Sequence, residues 1–236
     1  MKTVYHSAQS RGFADHDWLK SYHSFSFANY HEQERMHFGV LRVLNDDAVA
    51  PGKGFGRHPH SNMEIISIPL QGALVHQDSM GNKSIIRQGD IQVMSAGTGV
   101  EHSEFNNSNS EQVRFLQIWV IPRAKGVAPR YDQQQIPEAP NTLVQVLSPS
   151  PEDQGVWIHQ NAWFSIGTFD QDVSLTYTLH DQGNGLYAFV LDGQVKLGGH
   201  ALNRRDGLGI WETESVQLEV HAGAQVLLME VPMQLA

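Results

Sequence analysis

The amino-acid sequence predicts an all-β chain made of two tandem barrels, on three observations. Short β-branched and aromatic runs are separated throughout by Gly, Pro and Asp-Gly corners, the rhythm of a small barrel or sandwich. Helix-like apolar periodicity is scarce. The second half also repeats the plan of the first. Leu186 to Gly193 parallels Ile65 to Gly72, and Arg205-Asp206-Gly207 with the run to Trp211 parallels Gln88-Gly89-Asp90 with the run behind it.

Taken in order, residues 1–37 are rich in aromatics (Tyr5, Phe13, Trp18, Tyr22, Phe25, Phe27, Tyr30) that read as packing groups. His23 to Tyr30 alternates apolar and small polar residues, as a strand or an extended wrap does. Phe38 to Leu44 reads as a strand, with Asn45-Asp46-Asp47 as the turn that ends it. Pro51 to Arg57 is a glycine-rich approach to His58. It is no dinucleotide loop, because a strand from Glu64 to Pro69 follows where that fingerprint requires a helix. Further strands are expected at Ala73 to Gln77, Ser84 to Arg87 and Ile91 to Met94, together a meander closing into a barrel. Phe115 to Ile121 reads as a strand buried on both faces. Four prolines and the run Gln133 to Gln135 make 122–142 an expected linker. The domains expected are therefore 1–130, with the functional site, and 143–236.

The net charge of −9 and the absence of a Lys/Arg cluster argue against direct nucleic-acid binding. There is no cysteine, no apolar run of membrane-spanning length and no opening signal-like segment, so a cytoplasmic, soluble protein is expected. A monomer or weak dimer is the expected state.

The chemistry concentrates between Gly54 and Glu104. His58 with His60, and His102 with Glu104, are i, i+2 pairs, and on a strand such pairs point to one face. On neighbouring strands of one barrel they place three imidazoles and a carboxylate around one divalent metal, with positions left open. Glu64 shares the parity of His60, so it stands as the alternative carboxylate or as a group orienting a ligand imidazole. His6, His16, His31 and His37 have no partner at ligand spacing and read as structural or surface residues. Laying Gly193 on Gly72 puts Leu179 opposite His58 and Asp181 opposite His60, so the second barrel has lost the pair. His180, His200 and His221 stand alone.

His58-Pro59-His60, Glu64 and Gly72 resemble the first cupin motif, and Gly89, Ser95, Gly97 and His102 a variant of the second. With His23 to Tyr30, His76 to Gly81 and Ser95 to Glu104, the chain resembles pirins and the bacterial pirin-like quercetin 2,3-dioxygenases over nearly its whole length. The resemblance implies two tandem jelly-roll-like cupin barrels with the metal site in the N-terminal one. It implies His58, His60, His102 and Glu104 as ligands, with Glu64 outside the set; the chemistry of such a site places Glu104 to take a substrate proton as the catalytic base. Ser61 and Asn62 depart from the basic or glycine residue that many members carry there. The activity implied is that of an oxidoreductase opening a flavonol such as quercetin with O2 and releasing carbon monoxide. Iron is the metal implied first, ahead of zinc, cobalt, nickel, manganese or copper. Two other readings stand beside it, a metal-binding regulatory protein without turnover and a cupin isomerase-like binder.

Overall fold

The computed structural model of the chain describes residues 1–235. Apart from two single turns of 3₁₀ helix, Ala8–Ser10 and Gln33–Arg35, its regular elements are strands. They form two barrels, each a seven-stranded sheet packed on a four-stranded one. In the first barrel the larger sheet runs, side by side, Arg130–Gln135, Asp90–Ser95, Glu64–Gln71, Val113–Val120, Leu41–Val49, Leu19–His23 and Gly12–Asp15. Its smaller sheet runs Gly54–His60, Val100–Asn106, Ala73–Asp78 and Lys83–Arg87. The second barrel repeats this, with Val173–Thr178, Ser215–Val220, Gln194–Leu197 and His200–Asn203 as its smaller sheet.

Strand order departs from the expected meander. Gly54–His60 pairs with Val100–Asn106, not with Glu64–Gln71, which follows it in sequence. The connecting turns send the chain across to the facing sheet, which is jelly-roll behaviour. The two larger sheets then pack on each other. Period-two alternation sorts their residues: Ile66, Ile68, Leu116 and Ile118 join Phe164, Ile166, Phe189 and Met229 in one core shared by both barrels. Ile65, Gln117 and Trp119, of opposite parity, line a cavity inside the first barrel. Both faces of these central strands are covered, hence their nearly continuous apolar sequences.

Three boundaries are corrected. Asn45-Asp46-Asp47 is no turn but the middle of the strand Leu41–Val49, and all three residues are buried. The proline-rich span 122–142 contains a strand, Arg130–Gln135, on the edge of the first larger sheet. Lys2–His6 belongs to the second barrel's sheet, paired with Gly207–Trp211, so the start of the chain crosses the expected division at 130/143. No helix among the described residues is long and apolar enough to cross a membrane.

Candidate metal centre

The two sequence pairs fall on adjacent antiparallel strands, with His102 directly opposite His58. Between His102 and Glu104 the register slips, so that two residues on that strand oppose three on its partner (Phe55 faces Glu104). The extra residue is a bulge, which re-aims the side chains beside it. Gly54 is required there, because a Cβ would lie 2.3 Å from the Glu104 carbonyl oxygen. Pro59, between the two histidines, is tolerated because its strand is at the sheet edge.

Three imidazoles converge. Ring centroids are 4.8 Å apart for His58 and His60, 4.5 Å for His58 and His102, and 4.9 Å for His60 and His102. Their donor nitrogens lie within 4.8 Å of one another, and a second group of the same tightness joins His102 to His76 and Glu104. His102 is common to both groups, so the four expected residues are brought together with a fifth, His76, which the sequence reading gave no role. His76 sits directly across from Glu104 on Ala73–Asp78. Recognising it requires that register, which spacing does not reveal.

The electrostatics favour neutral imidazoles. Burial, then the neighbouring His58, pushes His60 down to about 4. Burial, followed by His58, His60 and His76, pushes His102 down to about 2. Each therefore keeps a lone pair at neutral pH. His58 Nδ1 lies 2.7 Å from the Gly56 carbonyl oxygen, to which only an N–H can donate, so its Nε2 is left free. Both ring nitrogens of His102 are buried without a protein partner among the described residues. Such orphaned nitrogens are rare in folded proteins, and a metal satisfies one of them. The donor set of imidazoles and one carboxylate fits a divalent transition metal.

Glu104 is buried, and burial pushes its carboxyl up to about 7, against the Ser67 hydroxyl, which donates to Oε1 at 2.8 Å. Asp47, also buried, faces the same cavity. Burial raises it to about 7, with Ser21 opposing and Asp46 and Glu104 adding. Glu64 goes elsewhere. The turn at Asn62 (φ 49°) interrupts the strand, so parity with His60 is lost. Its carboxylate accepts from Ser95 Oγ at 2.6 Å, and Arg130 is the nearby charge.

The cavity above the histidines measures about 120 Å³ and opens to solvent. Phe27, Phe55, Ile65 and Trp119 give it apolar walls, and Trp119 stands edge-on to His60 at 5.0 Å. Of the N-terminal aromatics only Phe27 lines it, whereas Phe13 and Tyr22 are exposed. His16, expected to be structural or on the surface, is exposed and lines the cavity together with the buried His23.

Comparison with known proteins agrees with this picture. The family model "Pirin" matches residues 5–120, and "Quercetinase C-terminal cupin domain" matches 145–231. A quercetin 2,3-dioxygenase of Escherichia coli K12 is 39% identical, over 95% of this chain and 96% of the relative. A pirin-like protein of Caulobacter vibrioides is also 39% identical, over 93% and 95%. The crystal structure of E. coli YhhW superposes with a TM-score of 0.94 at 38% identity over 98% of both chains. That of bacterial pirin YhhW in complex with nickel(II) gives 0.93 at 38%, over 98% of this chain and 99% of that one. A paired-histidine centre in the first of two cupin barrels, matched by sequence and fold along almost all of its length, makes this chain a member of the pirin family.

Proposed function

We propose that this protein is a metal-dependent dioxygenase that opens the heterocycle of a flavonol such as quercetin, with His58, His60, His102 and Glu104 as the metal ligands. The observation that carries it is a buried carboxylate beside three clustered imidazoles at the end of an apolar-walled cavity. The name of the E. coli relative supports the substrate class, and the nickel-bound pirin supports a divalent metal. Iron is the metal we assign first. A divalent cation held by these side chains would supply Lewis acidity toward the adjacent 3-hydroxyl and 4-keto oxygens of a flavonol.

The protein's own part is to position the ring system and to move one proton. Phe27, Phe55, Ile65 and Trp119 enclose a planar aromatic and exclude water. Glu104, buried beside the clustered imidazoles, is placed to take the 3-hydroxyl proton as general base. Ser67 holds Oε1. His76, directly across the strand pair from Glu104, is held by Asp78 at 3.2 Å through Nε2, so its Nδ1 is an acceptor on that side. Overall the flavonol and O2 become a depside and carbon monoxide. C3 leaves as carbon monoxide, both oxygen atoms remain on the carbons that flanked it, and the proton held by Glu104 returns to the product.

The test is aerobic quercetin bleaching with carbon monoxide detection, alongside metal content. Turnover that scales with bound metal supports the proposal. A spectral shift of the flavonol without carbon monoxide assigns the site to binding, which is the regulatory reading.

A further inference from the structure

We propose that the junction between the barrels carries a second binding site, for a phosphate group, formed by Arg114, Arg204 and Arg205. The strand Leu41–Val49 makes the site possible by sending adjacent residues to opposite sides: Asp47 faces the metal-site cavity and Asp46 faces the second barrel. Asp46 is the meeting point of three guanidinium groups. Arg205 Nε lies 3.1 Å and Arg11 Nη1 3.3 Å from Oδ2, and Arg114 Nη2 lies 3.9 Å from Oδ1. A fourth, Arg204, reaches only the exposed Asp192 among the described residues, at 3.6 Å. Four guanidiniums face two carboxylates, a local excess of positive charge in a chain whose net charge is −9.

That excess is built in and partly buried. Arg205 is 8% exposed, and its Nε and Nη1 have no hydrogen-bond acceptor among the described residues. The ion pair to Asp46 is close but poorly aligned for a hydrogen bond. Arg114 Nε is likewise buried and unpartnered. Asp206, next in sequence, does not serve Arg205. It accepts instead from Tyr5 Oη and from the Ala8 and Asn203 amides. Arg205 also adopts φ 69°, a left-handed conformation costly for a residue with a Cβ. An ion pair bolting the barrels together needs one arginine on Asp46. It does not need unmet N–H groups on two of them.

These groups border a cavity of about 160 Å³ whose other walls are Leu70, Gln71, Leu191, Asp192 and Gln225. Planar guanidiniums with free N–H groups match the oxygens of a phosphate by charge-assisted, paired hydrogen bonds. Burial, then Arg204, Arg114 and Arg11, weigh against the charged form of Arg205, while Asp46 favours it. A bound anion relieves the like-charge crowding.

The experiment is calorimetry and thermal unfolding of the purified protein at fixed metal content. Inorganic phosphate and glycerol 3-phosphate are titrated separately, with sodium chloride holding ionic strength constant. We expect saturable binding of one equivalent per chain and a rising Tm, with Arg114→Met weakening affinity roughly tenfold to a hundredfold. Glycerol 3-phosphate binding more tightly than inorganic phosphate marks the natural ligand as a phosphomonoester, and the reverse order marks free phosphate. Arg204→Gln, on the exposed rim, should weaken binding less. Arg205→Met should abolish it. If that variant does not fold, Arg114→Met still decides, because the Arg114 side chain is 32% exposed and tolerates replacement. Absence of saturable binding with either probe, or unchanged affinity in Arg114→Met, overturns the proposal. The response should survive in a His58→Ala, His60→Ala protein, and its loss there would place the phosphate at the metal centre instead.

Discussion

At the scale of single residues, the metal holding and the proton transfer proposed for the first barrel can be tested apart. A His58→Ala, His60→Ala protein loses two of the three clustered imidazoles, so its metal content by elemental analysis should fall close to zero. Full content would remove both from the ligand set. Glu104→Gln asks a different question, since the amide oxygen can still bind metal but cannot take a proton. Turnover per bound metal should fall by about a hundredfold to ten-thousandfold and recover toward high pH, where the flavonol ionises unaided. Equal rates per metal would leave Glu104 as a ligand only. The pairs His58/His60 and His102/Glu104 were legible in sequence because each lies within one strand, where parity is reliable. Glu64 was ambiguous for the complementary reason, since the turn at Asn62 breaks the parity count. His76 and Asp47 enter through strand register and through a strand mistaken for a turn. Three consecutive polar residues look like a corner until their burial on the two sides of a sheet is known.

At the scale of elements, the second barrel carries a buried, hydrogen-bonded carboxylate cluster. Its loop after Val173–Thr178 is tied down by one fully buried carboxylate, Glu230. Oε1 accepts from the amides of His180 at 2.8 Å and Asp181 at 3.3 Å and from Asn184 Nδ2 at 2.7 Å. Oε2 lies 2.9 Å from Tyr177 Oη and 2.8 Å from His180 Nδ1. His180 also stacks flat on Trp163 at 4.4 Å. A carboxylate so engaged anchors the loop, so His180→Ala should leave metal content per chain unchanged. Loss of metal in that variant would show a second centre. Glu230→Gln turns an acceptor into a donor facing donors, and should cost about 2–4 kcal/mol in chemical denaturation, with metal content again unchanged. The duplication was readable from the parallel runs before Gly72 and Gly193, both of which adopt positive φ. The strand Arg130–Gln135 was not readable. It is a polar edge strand without apolar alternation, flanked by Pro129 and Pro137, and only its partner Asp90–Ser95 identifies it.

At the scale of the whole molecule, the barrels are joined through a shared core that His6 closes from the N-terminal strand. Its ring is 5% exposed, lies 5.9 Å from Phe25 in the T-shaped arrangement, and has Nδ1 2.9 Å from Tyr187 Oη. Burial raises the Tyr187 hydroxyl above its ordinary range, so it stays protonated and donates to Nδ1. Burial, with Arg35 as the nearby positive charge, pushes His6 down to about 4 from an ordinary 6.5. The unfolded chain therefore binds the extra proton across that window and the folded chain does not. His6 contributes its full stability above pH 6.5 and loses it as pH falls toward 4, about 3 kcal/mol in total. Glu64, Glu104 and Asp47 act in the opposite sense. Their folded values near 7 make the native state the better proton binder, so acid stabilises through them. The wild-type curve alone thus mixes opposed contributions, and the difference from a variant isolates one of them. His6→Asn keeps an acceptor near Nδ1 and removes the titration. The stability gap between wild type and His6→Asn, from urea unfolding of metal-free protein at pH 4 to 8, should be constant above pH 6.5 and shift by up to about 3 kcal/mol against wild type as pH falls to 4. Parallel curves across that range would show that His6 closes the junction without sensing pH.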